Sequence, residues 1–202
     1  MADAAPEGAG EDAAWIAVPT ALTQERLAWL VADPERLLRV NPCWVFEAWE
    51  RPSAERFSLR VRDTVHGTRW AADGRIEPLP DGLRLVYDEG LKASTRFRIE
   101  TGDGGTRLWV IDDYGRLSAE ERAARLDEVD RSLPEWGRAL ERYLAGWQRR
   151  GHHRSWRWYT ERVWRPMTPL ARRVVRLLIW ATVIEFAVFV LLIAVLSVES
   201  GR

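Results

Sequence analysis

Apolar and polar side chains alternate along a long central part of the chain. Phe57, Leu59 and Val61 are separated by polar residues, and Leu83 begins another stretch with the same two-residue period. Such alternation is typical of strands that bury one face and expose the other. Gly, Pro and Asp residues separate these stretches at short intervals. We therefore predict about six antiparallel strands over residues 43–114, with one apolar face that another element must cover.

Shorter elements precede this predicted sheet. Residues 15–19 are mostly apolar and predict a first strand, and Thr20 is placed to cap a helix that follows it. Asp33, followed by Pro34, has the pattern of the start of a second short helix. The sequence thus predicts a strand and two short helices before the main run of strands.

One apolar stripe follows the predicted sheet. Its members recur every three or four positions, which predicts a long amphipathic helix: Leu126, Val129, Leu133, Trp136, Leu140, Leu144 and Trp147. Pro134 lies within the stripe and predicts a kink or a restart, because proline cannot donate a backbone hydrogen bond to the preceding turn. A helix of this kind would lie across the apolar face of the sheet.

This order of elements resembles the START-like helix-grip superfamily, also called the polyketide cyclase or SRPBCC group. The resemblance is carried by "VPTALTQERLAWLVADPERLLRVNP", by the predicted strands, and by "EVDRSLPEWGRALERYLAGWQ". It implies an α+β helix-grip fold for residues 14–150, with an antiparallel sheet wrapped on the long C-terminal helix. It also implies a cavity that takes an apolar ligand, such as a lipid or a quinone. The superfamily has no single catalytic motif, so the resemblance assigns no catalytic residue and no cofactor.

Aromatic residues are the candidates for lining the implied cavity. The chain has 12 tryptophans, and those in the predicted strands could line a cavity or simply fill the core. Trp15, Trp29, Trp136 and Trp147 fit core or cover positions. Seven residues are the candidates for ligand binding: Trp44, Trp49, Trp70, Tyr87, Phe97, Trp109 and Trp136.

An apolar run of 22 residues, 177–198, lies near the C-terminus. As a helix it would be about 33 Å long, enough to cross a hydrocarbon core of about 30 Å. We predict a transmembrane helix over residues 168–198 and a short tail over residues 199–202. Three arginines lie just before the run, so the positive-inside rule places the N-terminal domain in the cytoplasm. The expected location is therefore the inner (cytoplasmic) membrane, crossed once.

Glu185 is the one charged residue within this apolar run. A lipid-exposed carboxylate near the bilayer centre costs about 2.5 kcal/mol or more. The carboxyl group could be protonated and bonded within its own helix. It could instead contact a membrane-protein partner or a second copy of the chain, and the sequence leaves both open.

A basic, aromatic segment joins the two predicted regions, and we call residues 151–167 the collar. Residues 1–148 carry 20 basic and 27 acidic side chains, whereas residues 149–176 carry nine basic side chains and one acidic one. Aromatic residues at helical spacing, flanked by arginines, are typical of a helix that lies in the headgroup region of a bilayer. The same residue types can bind nucleic acid, but a segment beside a bilayer favours lipid as the partner. The predicted membrane-interface residues are Arg154, Trp156, Arg157, Tyr159, Arg162, Trp164 and Arg165.

Residues suited to catalysis or to metal binding are few. The chain has one cysteine, Cys43, and three histidines, which excludes a multi-cysteine zinc site. His66 precedes a glycine in a predicted turn, where a solvated imidazole is expected, and we predict no metal site. Asp112 and Asp113, at the end of the last strand, could form a carboxylate pair, but the favoured interpretation is two surface charges. Residues 1–13 predict a disordered acidic lead.

Two functions fit these features. The first is a membrane-tethered START-like domain that binds an apolar ligand, a lipid or a quinone, at the cytoplasmic membrane surface. The second is a non-catalytic accessory or assembly subunit of a membrane protein complex, docking through the soluble domain and the transmembrane helix. The layout of a soluble domain with a membrane anchor resembles the CoxG-type accessory proteins of carbon monoxide dehydrogenase. An enzyme acting on a hydrophobic substrate is a third interpretation, and it is disfavoured because no acid–base pair is evident.

Overall fold

Seven strands form one antiparallel sheet in the computed structural model, which describes residues 6, 10, 12–65, 67–102, 105–116, 120 and 126–200. The sheet order is β1-β7-β6-β5-β4-β3-β2, so the first strand pairs with the last and the sheet curls into a half-barrel. The predicted first strand and the six strands after it are confirmed. The strands are β1 (Ala13–Thr20), β2 (Trp44–Glu50), β3 (Arg56–Asp63), β4 (Arg69–Leu79), β5 (Gly82–Tyr87), β6 (Ser94–Gly102) and β7 (Gly105–Asp113).

The inner face of the sheet is the apolar face that the alternation predicted. Phe57, Leu59 and Val61 of β3 are at most 1% exposed, while Arg56 before them and Arg60 between them are exposed. The pleat of a strand turns successive side chains to opposite faces, so a two-residue period sorts them into a core side and a solvent side.

Two short helices, α1 (Gln24–Val31) and α2 (Pro34–Leu38), connect β1 to β2. The predicted cap of α1 was misplaced. Thr23 caps this helix by accepting a hydrogen bond from the backbone N–H of Arg26 at 3.3 Å. The Thr20 hydroxyl instead accepts one from a backbone N–H within the turn that precedes the helix. The predicted cap of α2, Asp33, is confirmed.

The long helix α3 (Leu126–Arg150) covers the inner face of the sheet. It runs through Pro134 as a single helix, so the predicted restart does not occur. Buried Leu133 and Trp136 on either side of Pro134 hold the segment in the core. The Trp136 indole N–H donates to the carbonyl oxygen of Leu37 at 3.0 Å, which joins α3 to α2. The side chains of Leu126 and Val129, also predicted for the stripe, lie outside the described residues.

The chain divides into two compact units, Met1–Pro166 and Met167–Arg202. The first unit includes the collar as far as Pro166, and this part forms α4 (Arg154–Tyr159) and a π-helical turn (Thr160–Trp164). The second unit contains α5 (Pro169–Ser200).

Helix α5 has the length and composition of a membrane-spanning helix. Its segment Pro169–Ala194 has a mean hydropathy of 2.6, and none of it is buried. The Thr168 hydroxyl accepts a hydrogen bond from the backbone N–H of Ala171 at 3.2 Å, so the helix starts with the predicted cap.

Candidate functional site

A cavity of about 450 Å³ lies at one end of the sheet, beside the first half of α3. Trp44 of β2, Trp70 of β4 and Tyr87 of β5 contribute aromatic rings to its lining. Lys92, in the loop between β5 and β6, and Ser132 of α3 line it as well. Its volume falls within the range of about 300–1,000 Å³ that is common for small-molecule sites.

The aromatic rings of the lining contact one another edge to face. Trp44 and Trp70 have ring centroids 5.1 Å apart with planes at 79°, and Trp70 and Tyr87 are 6.5 Å apart at 80°. Trp136 packs behind Trp44 at 6.0 Å. Edge-to-face contacts fix each ring by its neighbours, so the site has a largely preformed aromatic wall.

A chain of buried polar groups lies against this wall. The Tyr87 hydroxyl donates to the Thr95 hydroxyl oxygen at 3.1 Å, and the Thr95 hydroxyl donates to Asp112 Oδ1 at 2.5 Å. The Lys92 ammonium donates to Asp112 Oδ2 at 2.5 Å. Asp112 is 1% exposed and Thr95 is fully buried, so the carboxylate is paired with a cation and a hydroxyl.

Lys92 is enclosed by aromatic rings as well as by its carboxylate partner. Its ammonium nitrogen lies 5.2 Å from the ring centroid of Trp44 and 6.0 Å from that of Trp136. Only 12% of its side chain is exposed. Ring faces attract a cation more strongly where water is excluded, so these rings and Asp112 together hold the charge in place.

The Tyr87 hydroxyl is held in its protonated form. Burial raises the pKa of Tyr87, and the negative charge of Asp112 raises it further, against an opposing effect of the hydrogen bond with Thr95. Tyr87 therefore acts as a hydrogen-bond donor to Thr95 across the physiological pH range.

The structure brings three of the seven predicted ligand-binding residues to the cavity: Trp44, Trp70 and Tyr87. Phe97 and Trp136 are buried in the core, with ring centroids 5.8 Å apart, and support the wall from behind. They do not belong to the lining of the cavity.

Two other predicted residues lie away from this cavity. Trp49 stacks on Phe57 with ring centroids 5.3 Å apart and planes 10° apart. Trp109 is on the opposite face of the sheet, because it alternates with the core residues Leu108 and Val110. Its indole N–H donates to Glu100 at 3.0 Å, so it cannot line this cavity.

Sequence reasoning missed the charged pair at the cavity. Asp112 was expected to be a surface charge, but it is buried on the inner face, and Asp113 accepts a hydrogen bond from the Gly115 N–H at the strand end. Neighbouring residues of a strand point to opposite faces, so the two carboxylates do not form a pair. A signal for Lys92 was available, because it is the only lysine in a chain with 29 arginines.

The aromatic residues of the collar pack on the domain. The Trp156 ring contacts the Trp147 ring at 5.0 Å, and the Trp164 ring stacks on Tyr143 at 5.6 Å. Both indoles are partly buried against the core. Trp156 and Trp164, which were predicted to contact lipid, therefore pack within the first compact unit, a role that the sequence did not reveal.

An ion-pair cluster fastens the end of the collar to α2. Arg165 pairs with Asp33 at 2.8 Å, with Glu35 at 2.5 Å and with Glu161 at 3.2 Å, and Arg36 pairs with Glu161 at 3.1 Å. Burial lowers the pKa of Arg165, but the charges of Asp33 and Glu35 outweigh this effect and raise the pKa above its usual value. Arg165 thus remains cationic and bound to the domain.

A different face of the collar is exposed. Arg154, Arg157 and Arg162 are exposed, and the Trp158 side chain is 63% exposed. Residues 154, 158 and 162 follow one another at intervals of four, so this surface is continuous along the helix.

The packing of the collar predicts unequal effects of two tryptophan substitutions. Trp164→Ala should lower the free energy of unfolding by about 2 kcal/mol, because it removes a partly buried ring from Tyr143. Trp158→Ala, the matched control, should cost less than about 0.5 kcal/mol. Thermal unfolding of the full chain in detergent measures both effects, and equal effects would contradict the packing described for Trp164.

Trp29, expected at a core or cover position, packs against the buried Trp147 with ring centroids 5.3 Å apart. It is 46% exposed and lies between Arg26 and Arg36, whose guanidinium carbons are 4.7 Å and 4.3 Å from its ring centroid. His66 lies outside the described residues. Among the residues that the structure describes, no three His, Cys, Asp or Glu side chains come together as a metal site would require.

Solved structures share this fold at low sequence identity. Protein Ms6760 from Mycobacterium smegmatis is 18% identical with a TM-score of 0.51, over 66% of this chain and 91% of its own. The chain has the START-like helix-grip fold. At this identity the likeness shows the fold alone, so the START-like label assigns no ligand and no activity.

Other comparisons add no functional assignment. A protein from Rhodobacter sphaeroides is 22% identical with a TM-score of 0.48, over 68% of this chain and 95% of its own. The Zhui aromatase/cyclase from Streptomyces sp. R1128 is 17% identical with a TM-score of 0.48, over 71% of this chain and 96% of its own. No protein-family profile and no curated protein matches the chain.

Proposed function

We propose that the protein is a membrane-tethered domain that binds an apolar ligand, a lipid or a quinone, at the cytoplasmic membrane surface. The observation that carries this proposal is the aromatic cavity between the sheet and α3. A START-like helix-grip fold encloses a cavity in that position, and the rings of Trp44, Trp70 and Tyr87 form part of its wall. Aromatic walls with a few polar groups are typical of sites for small apolar molecules.

The proposed tether is helix α5. Its apolar segment Pro169–Ala194 is long enough to cross a bilayer. Arg172, Arg173 and Arg176 lie near its N-terminal end, which favours a cytoplasmic position for the preceding domain. A tether of this kind keeps the domain close to the bilayer, where apolar molecules are concentrated, and so raises the rate at which it meets them.

The exposed face of the collar is the part that suits contact with lipid headgroups. Arginine side chains near an anionic bilayer contribute about 1 kcal/mol each, and an exposed indole favours the interface. Arg154, Arg157 and Arg162 with Trp158 offer this combination. This face therefore makes the proposed contact with the membrane, while Trp156 and Trp164 serve mainly to pack the collar on the domain.

Ligand binding can be tested with the full chain purified from membranes. Native mass spectrometry should show a protein mass increased by that of a bound small molecule, and organic extraction should release this ligand. Ser132→Trp is the matched variant, because a large side chain at this lining position would occupy the cavity. We expect Ser132→Trp to fold and to retain less than about a tenth of the ligand, since the indole would occupy the space in which the ligand makes its apolar contacts.

Two results would contradict this function. Equal ligand content in the wild type and in Ser132→Trp would place the ligand outside the cavity. A wild-type chain without any bound molecule, and without affinity for added apolar compounds, would remove the ligand-binding role altogether.

A second candidate function rests on Glu185. This carboxyl group is exposed on the apolar part of α5, and a polar group in such a position commonly contacts another helix in the membrane. The chain would then be an accessory or assembly subunit of a membrane protein complex. Glu185→Leu should abolish co-purification of the partner or of a second copy, whereas Glu185→Gln should retain it. Unchanged association of Glu185→Leu would argue against this role.

A further inference from the structure

The only lysine of the chain is also the only cation among the described residues that line the aromatic cavity. Arginine fills the other 29 basic positions. An ammonium group is a compact charge with three rotatable donors, whereas a guanidinium is broad and planar. The space beside Trp44 and Trp136 thus holds a small cation that can direct a donor toward the cavity.

Asp112 uses only part of the hydrogen-bonding capacity of Lys92. The ammonium group has three N–H donors, and the bond to Asp112 Oδ2 takes one of them. The rings of Trp44 and Trp136 contact the charge without accepting a full hydrogen bond. Among the described residues, Lys92 therefore keeps donor capacity for an oxygen atom that enters the cavity.

The other polar groups of the network are already committed. Asp112 accepts from both Lys92 and Thr95, and Tyr87 donates its proton to Thr95. The hydrogen bonds run from Tyr87 through Thr95 to Asp112, and from Lys92 to Asp112, so the carboxylate is the final acceptor of the network. Lys92 is the member that combines a place in the lining with a donor to spare.

The charge of the pair selects the kind of oxygen that Lys92 can bind. Lys92 and Asp112 together are neutral, and Asp112 is almost completely buried. A carboxylate ligand would bring a second negative charge close to the buried Asp112, and the lining residues Asp63 and Glu89 would add to the repulsion. A neutral carbonyl oxygen accepts the same hydrogen bond without that repulsion.

We propose that the cavity takes a neutral ring compound with a carbonyl oxygen, and that Lys92 donates a hydrogen bond to this oxygen while Asp112 positions the ammonium group. The aromatic wall of Trp44, Trp70 and Tyr87 contacts the ring of the ligand. This inference rests on the proposed function, because it names the chemical class of the apolar ligand for the same cavity.

Three probes of one shape test the class of ligand. Acetylnaphthalene, ethylnaphthalene and naphthoate, substituted at the same ring carbon, present a ketone, a hydrocarbon and a carboxylate. Isothermal titration calorimetry of the full chain in lipid nanodiscs, corrected with empty nanodiscs, gives each dissociation constant. We expect the ketone to bind about 10- to 100-fold more tightly than the hydrocarbon, the range for one hydrogen bond from a charged donor. The carboxylate should bind more weakly than the ketone.

A double substitution tests the assignment to Lys92. Lys92→Met with Asp112→Asn removes the ammonium donor without leaving an unpaired buried charge, and it should make the ketone and the hydrocarbon equal in affinity. The matched control is Arg84→Met with Glu77→Gln, which neutralises an exposed pair joined at 2.7 Å. The control should keep the preference of the wild type for the ketone.

The outcomes separate this inference from the function on which it rests. Equal binding of ketone and hydrocarbon to the wild type overturns the inference but leaves an apolar ligand in place. Tighter binding of naphthoate overturns the choice of a neutral oxygen, and a ketone preference that survives in the double variant assigns the donor to another residue. Absence of binding by all three probes overturns the inference and counts against the proposed function as well. The wild-type comparison needs no variant, so it decides even if the double variant does not fold.

Discussion

Asp112→Ala is expected to lower the free energy of unfolding by about 3 kcal/mol, because it leaves the Lys92 ammonium without its carboxylate in a largely enclosed site. The Thr95 hydroxyl would lose its acceptor at the same time. Thermal unfolding of the full chain should show a decrease of about 6–12 °C in the melting temperature.

The neighbouring carboxylate provides the control for this substitution. The Asp113 carboxylate accepts a hydrogen bond from the Gly115 N–H at 2.8 Å, in an exposed position at the strand end, so Asp113→Ala should cost no more than about 1 kcal/mol. Adding Lys92→Met to Asp112→Ala should recover at least about 1 kcal/mol, because the unpaired charge is then removed. Equal effects of the two alanine substitutions, or a further loss in the double variant, would refute the described pairing.

Gly82→Ala is expected to lower the free energy of unfolding by about 3 kcal/mol or more, from the combined effects of a clash and backbone strain. Gly82 begins β5 with φ +153°, and a Cβ atom there would lie 2.0 Å from the carbonyl oxygen of Phe97. That oxygen belongs to the backbone of β6, so it can move only if the strand pair separates.

A second glycine separates the two contributions. Gly105 has φ +99°, but a Cβ atom at this position would have no neighbour within 4 Å. Gly105→Ala should therefore cost about 1 kcal/mol from the backbone conformation alone. Chemical denaturation of both variants measures the difference, and equal costs would mean that the close approach to Phe97 is not a constraint.

The sheet was predictable because alternation is a local property of the sequence. The spacing of Phe57, Leu59 and Val61 predicts that they share one face of the sheet, and all three are buried in the structure. The position of the cavity along the sheet was not predictable in the same way. Spacing separates Trp109 from Leu108, but it does not say which end of the inner face is filled and which end is open.

The buried charge pair was missed for a different reason. Asp112 and Asp113 are the same residue type, and only the alternation that continues from Leu108 and Val110 places Asp112, and not Asp113, on the inner face. The partner of Asp112, Lys92, comes from a loop 20 residues away, and a contact across two strands leaves no periodic signal.

The collar shows a similar limit of sequence-based prediction. An apolar stripe predicts that something covers it, but the stripe does not distinguish lipid from the domain of the same chain.

The π-helical turn of the collar has a geometric consequence for these contacts. In a continuous α-helix, each residue turns by about 100°, so Trp156 and Trp164 would point about 80° apart. The wider turn at Thr160–Trp164, closed by the hydrogen bond from the Arg165 N–H to the Thr160 carbonyl oxygen at 3.0 Å, advances each residue by roughly 80° instead. Over four residues, this difference brings the two indoles nearly into line. A change of helical pitch thus lets one short segment present both rings to a single surface, at Trp147 and Tyr143.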